Sequence, residues 1–430
     1  MRRKLSTLLL SGLVFCGAAR ADELPDWLSL HGQSTLVEQY HPAFHSLYRG
    51  PNSLSPKSVG NETFDATVFL GVRLWHGGAL YADPEVDQGF GLSNTLGVAA
   101  FPSGEAYKVG DVSPYVRVQR LFFRQSFDLG GDASKVDGDA NQVEDNRTAD
   151  NLILTIGKFS VGDVFDTNTY AHDPRGDFLN WAVIDAGAFD YAADSWGYTS
   201  GASAELTLGR WTARAGLFNL SKVPNGLVTQ NGFGQFEAVG EVEERHKLFG
   251  EDKIKLLFFL NRGRMGSYRD ALASSSPPDT ALVRRYASKP GGEINLEQGV
   301  TDDLGVFLRA SANDGGEEAY EFTEINRSLS AGLSLKGSDW QRPKDTLGLA
   351  LVVDGLSRDA RDYFAAGGMG ILIGDGHLRY SSEDVAEAFY SAAIADGFAA
   401  SADYQFIAHP AYNRDRGPVS VFSARLHAAF

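Results

Sequence analysis

The chain has a single cysteine in 430 residues, Cys16, and only 3 methionines. Beyond the first twenty residues no apolar run approaches the roughly 18 residues that a membrane-crossing helix requires, so a helical membrane protein is excluded. Basic residues are also short, 39 against 55 acidic, for a net charge of −16 that argues against nucleic acid as a partner. With 43% hydrophobic residues the chain is too apolar for a disordered tail, although its mean hydropathy is −0.20. What is plentiful is glycine, at 48, and aromatics, at 6 Trp, 16 Tyr and 27 Phe. That is the composition of an exported all-β protein.

The first twenty-one residues read as an address. Arg2, Arg3 and Lys4 precede an apolar stretch from Leu8 to Phe15, and Ala19-Arg20-Ala21 supplies a small-x-small cleavage site before Asp22. Residues 1–21 are therefore expected to be a secretory signal peptide, and residues 22–430 one domain. Bulky Phe15 argues against lipidation of Cys16. Cleavage would remove four basic residues and the thiol, taking the charge to −20 and leaving neither disulfides nor a thiolate metal site.

Downstream, period two dominates. Phe64, Ala66, Val68, Leu70, Val72 and Leu74 share one face, with Thr63, Asp65, Thr67 and Arg73 on the other. The alternation recurs in Trp196 to Leu208, Ile254 to Arg262, Leu304 to Ser311 and Glu321 to Leu335. Short polar turns, such as Leu208-Gly209-Arg210-Trp211 and Lys336-Gly337-Ser338-Asp339-Trp340, intersperse with longer connections such as Gly130 to Asp150 and Ser267 to Thr280.

A soluble sandwich could share that rhythm. Its core face would not carry full charges, whereas a wet lumen tolerates them. Aromatics near strand ends (Trp27 and Tyr40, Phe64 and Trp75, Trp196, Trp211, Phe218) suit membrane interfaces. The fold class expected is an all-β transmembrane antiparallel up-and-down barrel of about 16 strands, range 14–18, with long extracellular loops, some folded into a water-filled lumen. The last segment alternates Val419, Val421, Ser423, Arg425 and His427 with Phe422, Ala424, Leu426, Ala428 and the terminal Phe430, which reads as the signal for outer-membrane assembly machinery.

The run Trp75-His76-Gly77-Gly78 through Tyr81, Pro84, Glu85 and Gln88-Gly89-Phe90-Gly91-Leu92-Ser93-Asn94-Thr95 resembles the carbohydrate-selective porin family of Gram-negative bacteria, the OprB type. So do Gly157-Lys158-Phe159, Phe165-Asp166-Thr167-Asn168, Tyr170 and Phe178-Leu179-Asn180-Trp181. Toward the end, Gly374-Asp375-Gly376, Tyr380, Glu383, Glu387, Tyr390, Asp403-Tyr404-Gln405, Asn413, Arg416-Gly417-Pro418 and Arg425-Leu426-His427 continue the likeness. The resemblance implies a sixteen-stranded, monomeric barrel in the outer membrane that passes monosaccharides such as glucose by facilitated diffusion.

A sugar constriction should mix charged and amide side chains with aromatic surface. Two loops fit. Glu85 to Ser113 offers Glu85, Asp87 and Asn94; Asp163 to Asp185 offers Asp166, Asn168, Arg175, Trp181 and Asp185. Arg120 and Arg124 are expected to face the lumen, because an arginine facing lipid at mid-bilayer costs about 2 to 4 kcal/mol. Arg117 has the opposite parity unless a bulge intervenes, and is placed near a rim. No His-Glu-x-x-His or Gly-x-Ser-x-Gly occurs, and no enzyme activity, cofactor or metal is expected. Expected partners are sugars, outer-membrane lipid and lipopolysaccharide, and the assembly machinery. Open alternatives are a porin for anionic or other small polar solutes, and an outer-membrane enzyme or adhesin on the same scaffold.

Overall fold

The computed structural model describes residues 24–247, 250 and 252–430. The expected leader, residues 1–21, lies outside them. Sixteen antiparallel strands close on themselves, each pairing with its neighbours in sequence and the last with the first. They are β1 Leu28–His41, β2 Val59–Trp75, β3 Gly78–Gly89, β4 Asp111–Val136, β5 Asp145–Phe159, β6 Thr199–Leu208, β7 Trp211–Asn219, β8 Phe236–His246, β9 Asp252–Met265, β10 Arg285–Gly299, β11 Leu304–Asn313, β12 Arg327–Gly337, β13 Arg342–Gly355, β14 Glu383–Ala395, β15 Phe398–Ala408 and β16 Val419–Ala429. Turns as short as Gly209-Arg210 close one end, while the connections 90–110, 160–198 and 356–382 stand at the other. At Gly209 the backbone turns through φ +57°, a conformation glycine adopts without steric cost.

The faces follow the sequence alternation. Leu351, Ile156 and Phe258 point outward and stay exposed, as a lipid-facing band requires, whereas Asp65, Thr67 and Phe69 of β2 point inward and are buried. Trp27, Trp75, Trp211 and Trp340 ring the short-turn end, and Tyr40, Tyr286, Tyr404 and Phe422 the other, all exposed. Phe430 exchanges backbone hydrogen bonds with Gly32 of β1, 3.0 Å each way. A Cβ at Gly32 would lie 2.3 Å from the tip of the Phe430 ring, so a side chain there would require that ring to move.

Several sequence expectations are corrected. Trp196 and Tyr198 precede β6, which starts at Thr199, and 321–326 precede β12; both stretches are loop drawn into the barrel. Phe218 belongs to the lumenal face of β7, packing edge-on to Phe159 at 5.5 Å, and not to an interface girdle. Gly130 to Asp150 is largely the β4–β5 hairpin, on the same end as the short turns. Arg117 is lumenal: pairing shifts between Asp83 and Pro84, so Asp83 faces Arg120 while Glu85 faces Arg117. The bulge places Arg117, Arg120 and Arg124 on one face and turns Gln119 inward toward Glu85 and Asp87.

The interior is more filled than an open channel. Loop 160–198 has little regular structure, so its backbone groups need partners from elsewhere. The strand walls supply them. Glu241 accepts from Asp166 N at 3.0 Å, Glu387 from Leu179 N at 2.6 Å and Glu237 from Ala192 N at 2.6 Å. In return Arg309 donates to Val183 O at 2.8 Å, and Arg425 to Pro174 O at 2.6 Å and Gly176 O at 3.0 Å. Phe178 inserts edge-on between Phe307 and Phe389, at 5.7 and 4.9 Å, over Gly348, whose missing side chain makes the space. Lumenal carboxylates are thus largely loop anchors, a use for the chain's acidic excess that composition did not disclose.

Candidate functional site

Pinned against the β8–β14 wall, loop 160–198 leaves free space on the β1–β5 side. A cavity of 350 Å³ lies there, bounded by Glu105 and Tyr107 of loop 90–110, Arg120 of β4, Asp163, His172, Arg175, Trp181, Asp185 and Tyr191 of loop 160–198, and Ala140 and Asn141 of the β4–β5 turn.

Arg175 is its central cation. Asp173 accepts from Arg175 N at 3.0 Å, and Arg425 holds the carbonyls on either side, so the turn projects the guanidinium toward β2 and β3. It meets Asp65 and Glu105 at 3.4 Å each and Glu85 at 3.9 Å. Burial disfavours its charge, but the carboxylates of Glu105, Asp65, Asp173 and Glu85 overcome that and hold its pKa well above the ordinary value. Among the described residues its only side-chain hydrogen bond is Nε to Asp65, so the terminal nitrogens retain donors for a solute. Glu85 itself is fixed by Thr67 at 2.5 Å and Tyr107 at 2.8 Å.

Arg120 makes a two-pronged pair with Asp163, 2.7 and 2.6 Å, reaches Asp83 at 3.5 Å and lies over the Tyr198 ring at 5.0 Å. Facing the arginines is an aromatic wall. Trp181, in a single helical turn capped by Asn180, stacks on Phe101 at 4.9 Å and touches Tyr191 and Phe322 at 5.6 and 5.4 Å. Its indole N–H is buried without a partner among the described residues. Asp185 lies 3.8 Å from His172; burial, with Asp166 adding and Arg309 opposing, pushes its carboxyl up to about 8.

The structure therefore divides the sequence candidates. Arg120, Arg175, Trp181 and Asp185 line the cavity, with Glu85 behind Arg175. Asp166 and Asn168 are buried anchors, bound to Arg309 at 2.7 Å and Asn295 at 2.8 Å, and do not line it. Arg124 lies toward the short-turn end, donating to Asn141 O at 2.9 Å. Asp87 is lumenal and held by Gln119 at 3.3 Å, outside the cavity lining. Asn94 is exposed in a left-handed turn and does not join the others. Glu105, Asn141 and Gln119 escaped sequence reasoning; only the bulge, which parity flagged at Arg117, pointed toward Gln119.

A sixteen-stranded barrel with an apolar outer band, aromatic girdles and loops narrowing its lumen defines an outer-membrane porin. Residues 52–430 match the carbohydrate-selective porin OprB family, and the chain belongs to it. Among solved structures it is similar to Pseudomonas putida OprB at high pH, with 16% identity over 96% of this chain and 97% of that one and a TM-score of 0.72. It is also similar to the outer membrane channel DcaP of Acinetobacter baumannii, with 10% identity over 94% and 97% and a TM-score of 0.50. At such identities the likeness is one of fold. Comparison with curated proteins finds no match.

Proposed function

We propose that the protein carries monosaccharides such as glucose across the outer membrane by facilitated diffusion, with the cavity beside Arg175 as its selective constriction. The supporting observation is the pairing of charge-compensated arginines with an aromatic wall. Arg175 faces Asp65, Glu85 and Glu105, and Arg120 faces Asp163 and Asp83. A neutral polyol can exchange hydration for these donors and acceptors while its ring face rides on Trp181 and Tyr191; an anion finds no net positive charge. The same balance weighs against the anion-porin alternative. We further propose that residues 1–21 are a cleaved leader, that Phe430 is read during barrel assembly, and that the chain works as a monomer against outer-membrane lipid and lipopolysaccharide.

Uptake into proteoliposomes tests the transport reading, comparing glucose with larger sugars, amino acids and organic anions. Faster glucose entry is expected. Equal rates for glucose and an amino acid of similar size would refute it.

A further inference from the structure

The other described turns at the short-turn end stay at the rim, but the β4–β5 connection does not. Past the Asp128–Asn151 pair the hairpin runs through two register shifts, with Gly130 at φ +146° and Gly131 at φ +83° between them. Its tip, 137–144, then returns into the lumen. Ser29 donates to Asp139 O at 3.2 Å, and Arg73 to Glu144 O at 2.7 Å. Val143 is buried against Gly71, where a Cβ would come within 2.7 Å of it, and its N–H donates to the Tyr81 hydroxyl at 3.3 Å. At the apex Asn141 is clamped twice: Nδ2 donates to Asp83 at 2.9 Å, and its carbonyl accepts from Arg124 at 2.9 Å. A rim turn would not need contacts with β1, β2, β3 and β4 at once.

The tip reaches the solute path. Ala140 and Asn141 close the Arg175 cavity from below, and a second space of 370 Å³ lies between Asp139–Gln142 and Phe122, Arg124, Asp163 and His172. Among the described residues Asn141 Oδ1 is buried without a hydrogen-bond partner, and so is Trp181 Nε1, which belongs to the lining of the same cavity. An unmet acceptor and an unmet donor on one polar cavity are costly unless water or a hydroxylated solute satisfies them, and a passing sugar can take the place of that water.

We propose that the β4–β5 turn is the periplasmic floor of the constriction and that Asn141 is a specificity-determining residue, accepting a hydrogen bond from the passing solute through Oδ1. The narrow passage is then built from both ends, by loop 160–198 from one and this turn from the other. The inference rests on the transport reading for the solute's identity, though not for the geometry of the floor.

Two measurements separate those parts. For geometry, Asn141→Cys in a Cys16→Ser background is reconstituted in planar bilayers and treated with a charged methanethiosulfonate. Single-channel conductance should fall by at least about half, whatever solute the channel prefers, and unchanged conductance in fully labelled protein would overturn the placement. A variant with residues 129–150 replaced by Asn-Gly, which retains the Leu121–Asp128 pairing with Asn151–Lys158, should conduct more and admit disaccharides. If it folds with wild-type conductance and still excludes disaccharides, the floor is elsewhere. For specificity, Asn141→Ala should lose much of the glucose preference over a size-matched amino acid; it also gives up the Nδ2 bond to Asp83 and some thermal stability, while the Arg124 bond to the Asn141 carbonyl keeps the turn in place. Retention of the full preference would refute the role of Oδ1.

Discussion

Arg175 offers the sharpest perturbation. Its guanidinium stands among Asp65, Glu85 and Glu105 at 3.4–3.9 Å, and these carboxylates are almost entirely buried. Arg175→Met keeps the length of the side chain and removes the charge. Breaking a buried ion pair by deleting one partner costs about 3–5 kcal/mol, because the surviving charge is left uncompensated. Here the carboxylates can instead take up protons, so the loss should lie at the low end of that range and worsen as pH rises. Arg175→Lys keeps the charge as a point on a flexible stem and loses the planar fork, so stability should stay within about 1 kcal/mol of wild type.

Transport should respond differently. Each charge-assisted hydrogen bond from the remaining N–H groups of the terminal nitrogens to a sugar hydroxyl would contribute about 1.5–3 kcal/mol, equivalent to a roughly ten- to 150-fold change in affinity. Both variants should therefore lose at least about tenfold in glucose affinity, read from sugar-induced current noise in planar bilayers, although only Arg175→Met loses much stability. If Arg175→Lys matched wild-type affinity, or if affinity simply tracked stability across the two, the guanidinium would be a loop strut and not a solute contact.

Further outcomes are expected elsewhere. Asp185, with its carboxyl raised to about 8, should be mainly neutral at pH 7 and ionise by pH 9 among Asp166, Arg309 and His172, raising cation-over-anion permeability across that interval; Asp185→Asn should show a flat profile. A carboxyl raised on folding contributes stability that is full below the unfolded value and is lost as pH rises through about 8, so wild type should lose more stability than Asp185→Asn between pH 7 and 9. Trp181→Phe should keep a ring on Phe101 but slow sugar passage in proteoliposomes and lower stability modestly, since the N–H and one ring of the indole are gone. Arg309→Met should free Asp166 and the Val183 carbonyl, exposing loop 160–198 to limited proteolysis and raising conductance while the barrel persists. Gly32→Val should lower the yield of heat-modifiable folded barrel, because its side chain would occupy the place of the Phe430 ring.

The barrel was legible because lipid and lumen impose alternation residue by residue, and a strand such as Thr63 to Trp75 declares both faces without reference to anything distant. The site was legible only where its residues sit on such a strand or in a conspicuously polar loop. Arg120, Arg175, Trp181 and Asp185 met that condition and line the cavity; Asp166 and Asn168 met it equally and proved to be anchors. Nothing local separates the two groups, because the difference lies in which wall each side chain meets: Arg309 and Asn295 stand more than a hundred residues away in sequence. Asn141 shows the same limit from the other side. Its segment has the glycine- and aspartate-rich composition of a solvated turn, and only the bend of the β4–β5 hairpin, with Gly71 and Tyr81 placed to receive Val143, turns it inward. The lining of the cavity is therefore set by non-local pairing between loop backbone and lumenal side chains, so exchanging a wall residue such as Arg425 or Glu387 should alter permeation as surely as exchanging a residue that lines the cavity.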